Sequence, residues 1–552
     1  MSHSTRLLAA LLLAAVGPHV AAAQSGAPLR QRLDSIAGAE VRAHRSVGIV
    51  AAAVRGRDTL LLQAYGKADV EHDAAMTVGT MMPIGSVTKQ FTAVAILQLR
   101  DQGKLALDDD VTRWLPELDT GGHTITLRHL LAHTAGIVEL LEMPELRAIQ
   151  FMRNATLTRD SVYTIISHHR PAFAPGSMEL YSNTDYWLLG RIVEKASGMT
   201  YEQYVARRIF APLGMSRSMY CDAATPVPDR ATGYAMPNGV TRRVPDVVHT
   251  GTFAAGAICS TAGDLVTWLR ALHGGKVLSS RSYVELTAPA TLADGTPLRY
   301  GMGTTVAEDS HGLRYLGHNG GGFGFSAEAR WYPDAQLAVV VLTNSEPDEV
   351  TAAAEGIAAA VLPPARAAGR FTGDPSPLVG KYEGLGHGGD MIVVVTQRPD
   401  GVVFSIDGQP AETLPWIERW TFRKRDVLLS FRAGAAADRA DALHVDTGGD
   451  HLVLKRVSET AAAMTAPLAA LEGTYEGLQP GATVTIAVES DTLRVLPSGG
   501  GKGNLIPASG TTFYNGREGA PRTITFNLGP DGRAVSMTLK GPGNERTLAK
   551  LR

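Results

Sequence analysis

The sequence predicts a mixed α/β (α+β) domain, with an antiparallel sheet and a helical subdomain, followed by two small all-β antiparallel, barrel-like domains. Three observations carry that expectation. Strand-like runs stand at both ends of residues 24–362 with helical segments between them, as in a domain whose two ends meet in one sheet. Around Pro363-Pro364-Ala365-Arg366 the composition turns to that of a linker. Beyond it, Leu378-Val379-Gly380-Lys381-Tyr382-Glu383-Gly384-Leu385 returns as Leu471-Glu472-Gly473-Thr474-Tyr475-Glu476-Gly477-Leu478, an offset of 471 − 378 = 93 residues. That is the size of a small domain, and two copies are too few for a solenoid.

In chain order, residues 1–23 read as an export signal: Arg6 is the positive start, residues 7–16 are a short apolar run, and Ala21-Ala22-Ala23 before Gln24 suits cleavage. A periplasmic or secreted protein follows as the expectation. No cysteine near the cut would take a lipid anchor, and no later run reaches the roughly 18 apolar residues of a membrane span. Residues 24–362 form the first domain. Residues 47–54 and 59–65 read as strands joined by the turn Arg55-Gly56-Arg57-Asp58. Residues 90–97 read as a buried helix, and residues 328–332 and 337–342 as strands parted by Pro333-Asp334. A linker over 363–376 leads to all-β domains at 377–458 and 470–552. In the second, Val484, Ile486 and Val488 alternate with Thr485, Ala487 and Glu489, which buries one face of a strand and wets the other. In the first, residues 391–395 and 402–406 read as strands around the turn Pro399-Asp400-Gly401. Closing such sheets into barrels hides their edges.

Composition bounds the function. A hydrophobic share of 44% with 19% charged residues belongs to a globular chain, and 552 residues are enough for two or three domains. A net charge of −2 without a long basic run leaves no electrostatic footprint for nucleic acid. Two cysteines are present, Cys221 and Cys259. In an oxidising compartment they can form a disulfide, with a pair of buried thiols as the alternative.

Ser86-Val87-Thr88-Lys89 has the form S-x-x-K. Positions i and i+3 share a helix face, so the Lys89 amine would stand beside the Ser86 hydroxyl, and a neutral amine there can take its proton. Tyr181-Ser182-Asn183 follows 181 − 86 = 95 residues later, and then His318-Asn319-Gly320-Gly321. S-x-x-K, Y-x-N and H-x-G in this order resemble the serine β-lactamase and penicillin-binding protein superfamily. Residues 103–109, 126–137 and 260–265 resemble its connecting segments, so that the likeness covers roughly residues 30–360. The later layout resembles bacterial D-aminopeptidases, in which a penicillin-recognising domain precedes two eight-stranded barrels.

The resemblance implies roles. Ser86 would be the nucleophile and become acylated. Lys89 would accept its proton or keep Tyr181 ionised, Tyr181 would pass a proton to the leaving group, and Asn183 would hold Lys89 and the substrate. Backbone N–H groups of Ser86 and Gly321, beside Gly320, would form the oxyanion hole. His318 holds the place of the lysine of K-T-G in many β-lactamases and would pull less on a substrate carboxylate while bonding Tyr181. The implied reaction is hydrolysis of an amide or ester carbonyl, without metal or organic cofactor. The expected substrates are small peptides, D-amino-acid amides or esters, with β-lactams possible. A D-amino-acid peptidase or amidase comes first, a carboxylesterase or β-lactamase on the same scaffold second. A non-catalytic penicillin-binding sensor is the reading of another class; such sensors are tethered to the membrane, and this chain retains its motif residues. His129 and His133 have metal-like spacing, but Leu130 stands where a zinc protease has its glutamate, so both read as framework histidines. His168 and His169 read as a solvated pair.

Overall fold

The computed structural model describes residues 28–551 except 151, 155, 222–224, 347–349, 364–368 and short stretches at 387–388, 399–400, 407–411, 425–426, 434–438, 458–466, 478–480, 490–491, 498–502, 510, 516–522 and 542–543. The export signal read in residues 1–23 and part of the linker lie outside the described residues. Chain contacts divide the molecule after Ala367 into two units.

The first unit is organised by a seven-stranded sheet. Its strands are β1 (Gly48–Arg55), β2 (Asp58–Asp69), β3 (Ala74–Ala75), β4 (Thr305–Glu308), β5 (Arg314–Gly322), β6 (Phe325–Tyr332) and β7 (Leu337–Thr343). They lie in the order β3-β2-β1-β7-β6-β5-β4. The two ends of the domain do meet: β1 pairs antiparallel with β7, Ala51 opposite Val341. The turn after β1 is as tight as its glycine suggested, with Arg55 opposite Asp58.

Side-chain alternation splits the apolar strands between two cores. Val50, Ala52, Val340 and Leu342 pack on one face with helices α1 (Thr88–Asp101), α2 (Asn183–Ser197) and α3 (Ala262–His273). Ile49, Ala51, Val339 and Val341 pack on the other against helix α4 (Val350–Val361). A sheet covered on both faces has continuous apolar strands, which is why residues 47–54 show no polar alternation. Among the described residues no helix is long and apolar enough to cross a membrane.

The second unit contains a nine-stranded sheet over residues 380–456 and an eight-stranded sheet over residues 473–549. The eight-stranded sheet closes on itself: Tyr475 bridges Lys550, and the Leu551 N–H donates to the Thr474 carbonyl at 2.7 Å. The internal repeat has a structural cause. In each copy a fully buried tyrosine donates to the carbonyl four residues earlier, Tyr382 to Leu378 at 2.8 Å and Tyr475 to Leu471 at 2.7 Å. A buried phenol needs such an acceptor, so the tyrosine and its spacing recur together.

Candidate active site

Ser86 stands on a tight turn, Gly85–Val87, that runs directly into α1. Gly85 has φ 51°, a left-handed conformation that favours glycine. The turn also lies against β5. A Cβ on Gly85 would fall 2.8 Å from the Gly321 nitrogen, and one on Gly320 would fall 2.1 Å from the Ile84 oxygen and 2.7 Å from the Ser86 nitrogen. The two glycines, Gly85 and Gly320, therefore let β5 approach the serine turn backbone to backbone.

Lys89 is fully buried one turn beyond Ser86. Its Nζ lies 3.1 Å from Ser86 Oγ, 2.7 Å from Asn183 Oδ1 and 3.0 Å from the carbonyl oxygen of Ala255. Burial pulls the amine down to about 7, although the Glu139 carboxylate works to raise it. Two of its three partners are oxygens that only accept, so a neutral Lys89 spends its two N–H bonds on them. Its lone pair is then left facing Ser86.

Asn183 opens α2, and Glu139 fixes it there. One Glu139 oxygen accepts from the Asn183 side-chain amide at 3.0 Å, while the other accepts from the backbone N–H of Asn183 at 2.5 Å and of Thr184 at 3.4 Å. A carboxylate at a helix N-terminus is favoured by the unpaired N–H groups and the helix dipole. The same contact turns the Asn183 carbonyl toward Lys89 and leaves one amide hydrogen for another acceptor.

Tyr181 lies just before α2, with the Lys89 Nζ 4.6 Å from its ring centre. His133 holds that segment. Its carbonyl accepts from the Leu180 N–H at 3.0 Å, its Nδ1 accepts from the Ser182 N–H at 3.2 Å, and its ring lies 4.4 Å from that of Tyr181. Behind it Asp185 is buried, and burial followed by the charge of Glu139 raises its carboxyl well above the ordinary range. His129 does plain structural work: its backbone and ring complete a capping box with Thr126.

His318 lies in β5, buried, and differs from the sequence expectation in its partner. Its Nδ1 donates to the Asn319 carbonyl at 2.5 Å and its Nε2 accepts from the Tyr300 hydroxyl at 2.9 Å, rather than from Tyr181, whose ring centre is 6.1 Å away. Burial and then the Lys89 charge hold its imidazole down at about 3. It is a neutral group at working pH. Cys221 and Cys259 are joined as a disulfide beside the strand Met82–Pro83.

Ser86, Asn183 and Gly321 line a cavity with apolar walls from Leu140, Met152, Val247 and Phe325. Lys89, Tyr181 and His318 are not part of its lining; Lys89 reaches it through Ser86. Asp69, Glu71 and His72 are grouped closely enough to hold a metal, but Glu71 and His72 are exposed and none of the three lines the cavity. Sequence reasoning missed Glu139, Tyr300 and the Ala255 carbonyl, and it read His133 only as framework. None of these carries a motif of its own.

A family model described as Beta-lactamase matches residues 32–362, and one described as a domain of unknown function matches residues 458–550. Penicillin-binding protein 4* of Bacillus subtilis is 30% identical over 318 residues, 55% of this chain and 69% of that protein. D-aminopeptidase of Brucella canis is 28% identical over 333 residues, 58% of this chain and 61% of its own length. The crystal structure of a D-stereospecific amidohydrolase from Streptomyces sp. is 31% identical, with a TM-score of 0.51 over 57% of this chain and 94% of that one.

Proposed function

The chain belongs to the β-lactamase family of serine hydrolases, and from that premise we propose that it hydrolyses amide or ester carbonyls of D-amino-acid peptides and amides through an acyl-enzyme on Ser86. The observation that carries this reading is the Lys89 amine, 3.1 Å from Ser86 Oγ with its other two contacts on carbonyl oxygens. Neutral Lys89 accepts the hydroxyl proton as Ser86 Oγ bonds to the substrate carbonyl carbon. The oxyanion is met by the Ser86 and Gly321 N–H groups, a role supported by the close backbone approach of β5 to the serine turn. The proton passes to the leaving nitrogen or oxygen as the tetrahedral intermediate collapses. A water then attacks the acyl carbon, yields its proton to the same base, and frees the acid and Ser86. Tyr181, held beside Lys89, is the second proton carrier.

Preference for D-configured amides is supported by the D-aminopeptidase and the D-stereospecific amidohydrolase to which the chain is similar. A neutral His318 in the place of the K-T-G lysine argues against β-lactamase as the main activity. Esterase action is the second reading, favoured by the apolar cavity walls. The signal-like residues 1–23 support export to the periplasm or medium.

The test is intact-mass analysis of the protein with p-nitrophenyl esters and p-nitroanilides of D- and L-alanine. An acyl adduct that forms with the D substrates and disappears in Ser86→Ala is expected. An adduct that persists in Ser86→Ala removes Ser86 from the chemistry, and faster turnover of the L substrates overturns the D-amino-acid class.

A further inference from the structure

The cavity holds a cation that the acyl-enzyme chemistry does not use. Arg230 lines the same space as Ser86 and Asn183. It reaches the cavity by strand geometry. Arg230 forms a parallel bridge with Met81, with the Met81 N–H donating to the Asp229 carbonyl at 2.9 Å and the Ala231 N–H to the Met81 carbonyl at 3.0 Å. Bridged residues point their side chains to one side, and alternation puts Pro83 on that same side as Met81. Pro83 is itself a wall of the cavity.

The guanidinium is uncommitted. The neighbouring carboxylates have other cations: Asp229 binds Arg217 at 3.2 Å, and Asp246 faces Arg243 at 3.7 Å. Among the described residues no hydrogen bond or ion pair engages the Arg230 side chain. An arginine keeps its charge at any working pH and presents a planar fork of N–H donors matched to a carboxylate. The same cavity is walled in part by the apolar Pro83, Val247, Phe323 and Phe325, which strengthens a charged contact made there, and Asp246, which also lines it, is faced by Arg243. His318, by contrast, is engaged with Tyr300 and Asn319 and offers no charge to an anion.

We propose that Arg230 is the anion subsite of this enzyme, receiving a carboxylate carried by the substrate, so that peptides and acylated D-amino acids with a free carboxylate are preferred over their neutral amides. This rests on the reading of Ser86 as the nucleophile of the same cavity. The carboxylate anchor thereby moves from the β5 side, where the neutral imidazole stands, to the segment bridged to Met81.

The test compares N-acetyl-D-alanyl-D-alanine with its C-terminal carboxamide, which differ only in that charge. Wild-type kcat/KM should favour the carboxylate by about tenfold or more, mostly through KM, as a charge-assisted hydrogen bond requires. In Arg230→Gln the ratio should fall to near one, and Arg230→Lys should restore part of it, since the charge returns without the fork. A wild-type ratio near one, or a ratio that survives in Arg230→Gln, overturns the proposal. Calorimetric binding of the same two compounds to Ser86→Ala and to Ser86→Ala/Arg230→Gln gives the answer without turnover; equal binding of both compounds to Ser86→Ala also overturns it. The acyl-enzyme reading is tested separately by the burst with p-nitrophenyl acetate, a small neutral ester. Loss of that burst in Ser86→Ala supports it, and a burst that persists rejects it whatever Arg230 does.

Discussion

Lys89 is the residue whose environment explains most of the site. A buried amine is easier to deprotonate, and the two carbonyl oxygens around it leave only the Ser86 direction for the lone pair. Below pH 7 the ammonium has no lone pair and cannot take the serine proton; above it the amine is neutral. kcat/KM should therefore rise through an acid limb near pH 7, measured with the D-alanine p-nitroanilide. Glu139→Gln removes a charge that raises the Lys89 pKa, so that limb should move to lower pH, with kcat reduced as Asn183 loses its firm acceptor. An acid limb that stays in place in Glu139→Gln would show that Lys89 is not the titrating base. S-x-x-K made Lys89 legible, because i and i+3 share a face. Glu139 was not legible, because its partner lies 44 residues away.

Between elements, the close approach of β5 to the serine turn is what would present the two proposed oxyanion donors together. Gly320→Ala adds a Cβ where the Ile84 oxygen and the Ser86 nitrogen already stand, so the strand must back away from the turn. Far-UV circular dichroism should remain native while kcat falls by about 10²- to 10³-fold, the cost of a misplaced oxyanion donor. The disulfide ties together the segments around Cys221 and Cys259. It joins cysteines separated by 38 residues, at the short sheet in which Ile258–Ser260 pairs with both Met82–Pro83 and Met219–Tyr220. Replacing both with alanine should cost about 3–4 kcal/mol in urea unfolding by the loop-closure entropy of the unfolded chain. An unchanged midpoint would mean the packing of Met81 against the two cysteines carries that region alone.

For the whole molecule, the division after Ala367 separates two sets of apolar cores. The β5–β6–β7 strands and α4 complete the first unit before that point, since β7 pairs with β1 at its beginning. A chain ending at residue 367 should accordingly unfold in one cooperative transition and still form the Ser86 acyl adduct with small esters. A truncated protein without a cooperative transition would show that residues 368–552 are required for the catalytic fold.

The sequence by itself determined what is local or repeated in the chain. The i, i+3 relation of Ser86 and Lys89, the turn between β1 and β2, the strand alternation of the last sheet and the 93-residue repeat are all written in neighbouring residues, because backbone geometry acts over a few positions. Three ordered motifs sufficed to mark the family. Tertiary structure alone decided the Glu139 clamp on Asn183, the His133 brace on Tyr181, the Tyr300 partner of His318 and the presence of Arg230 in the cavity. These are contacts between segments whose meeting depends on how two cores pack around one sheet, and no local period encodes that.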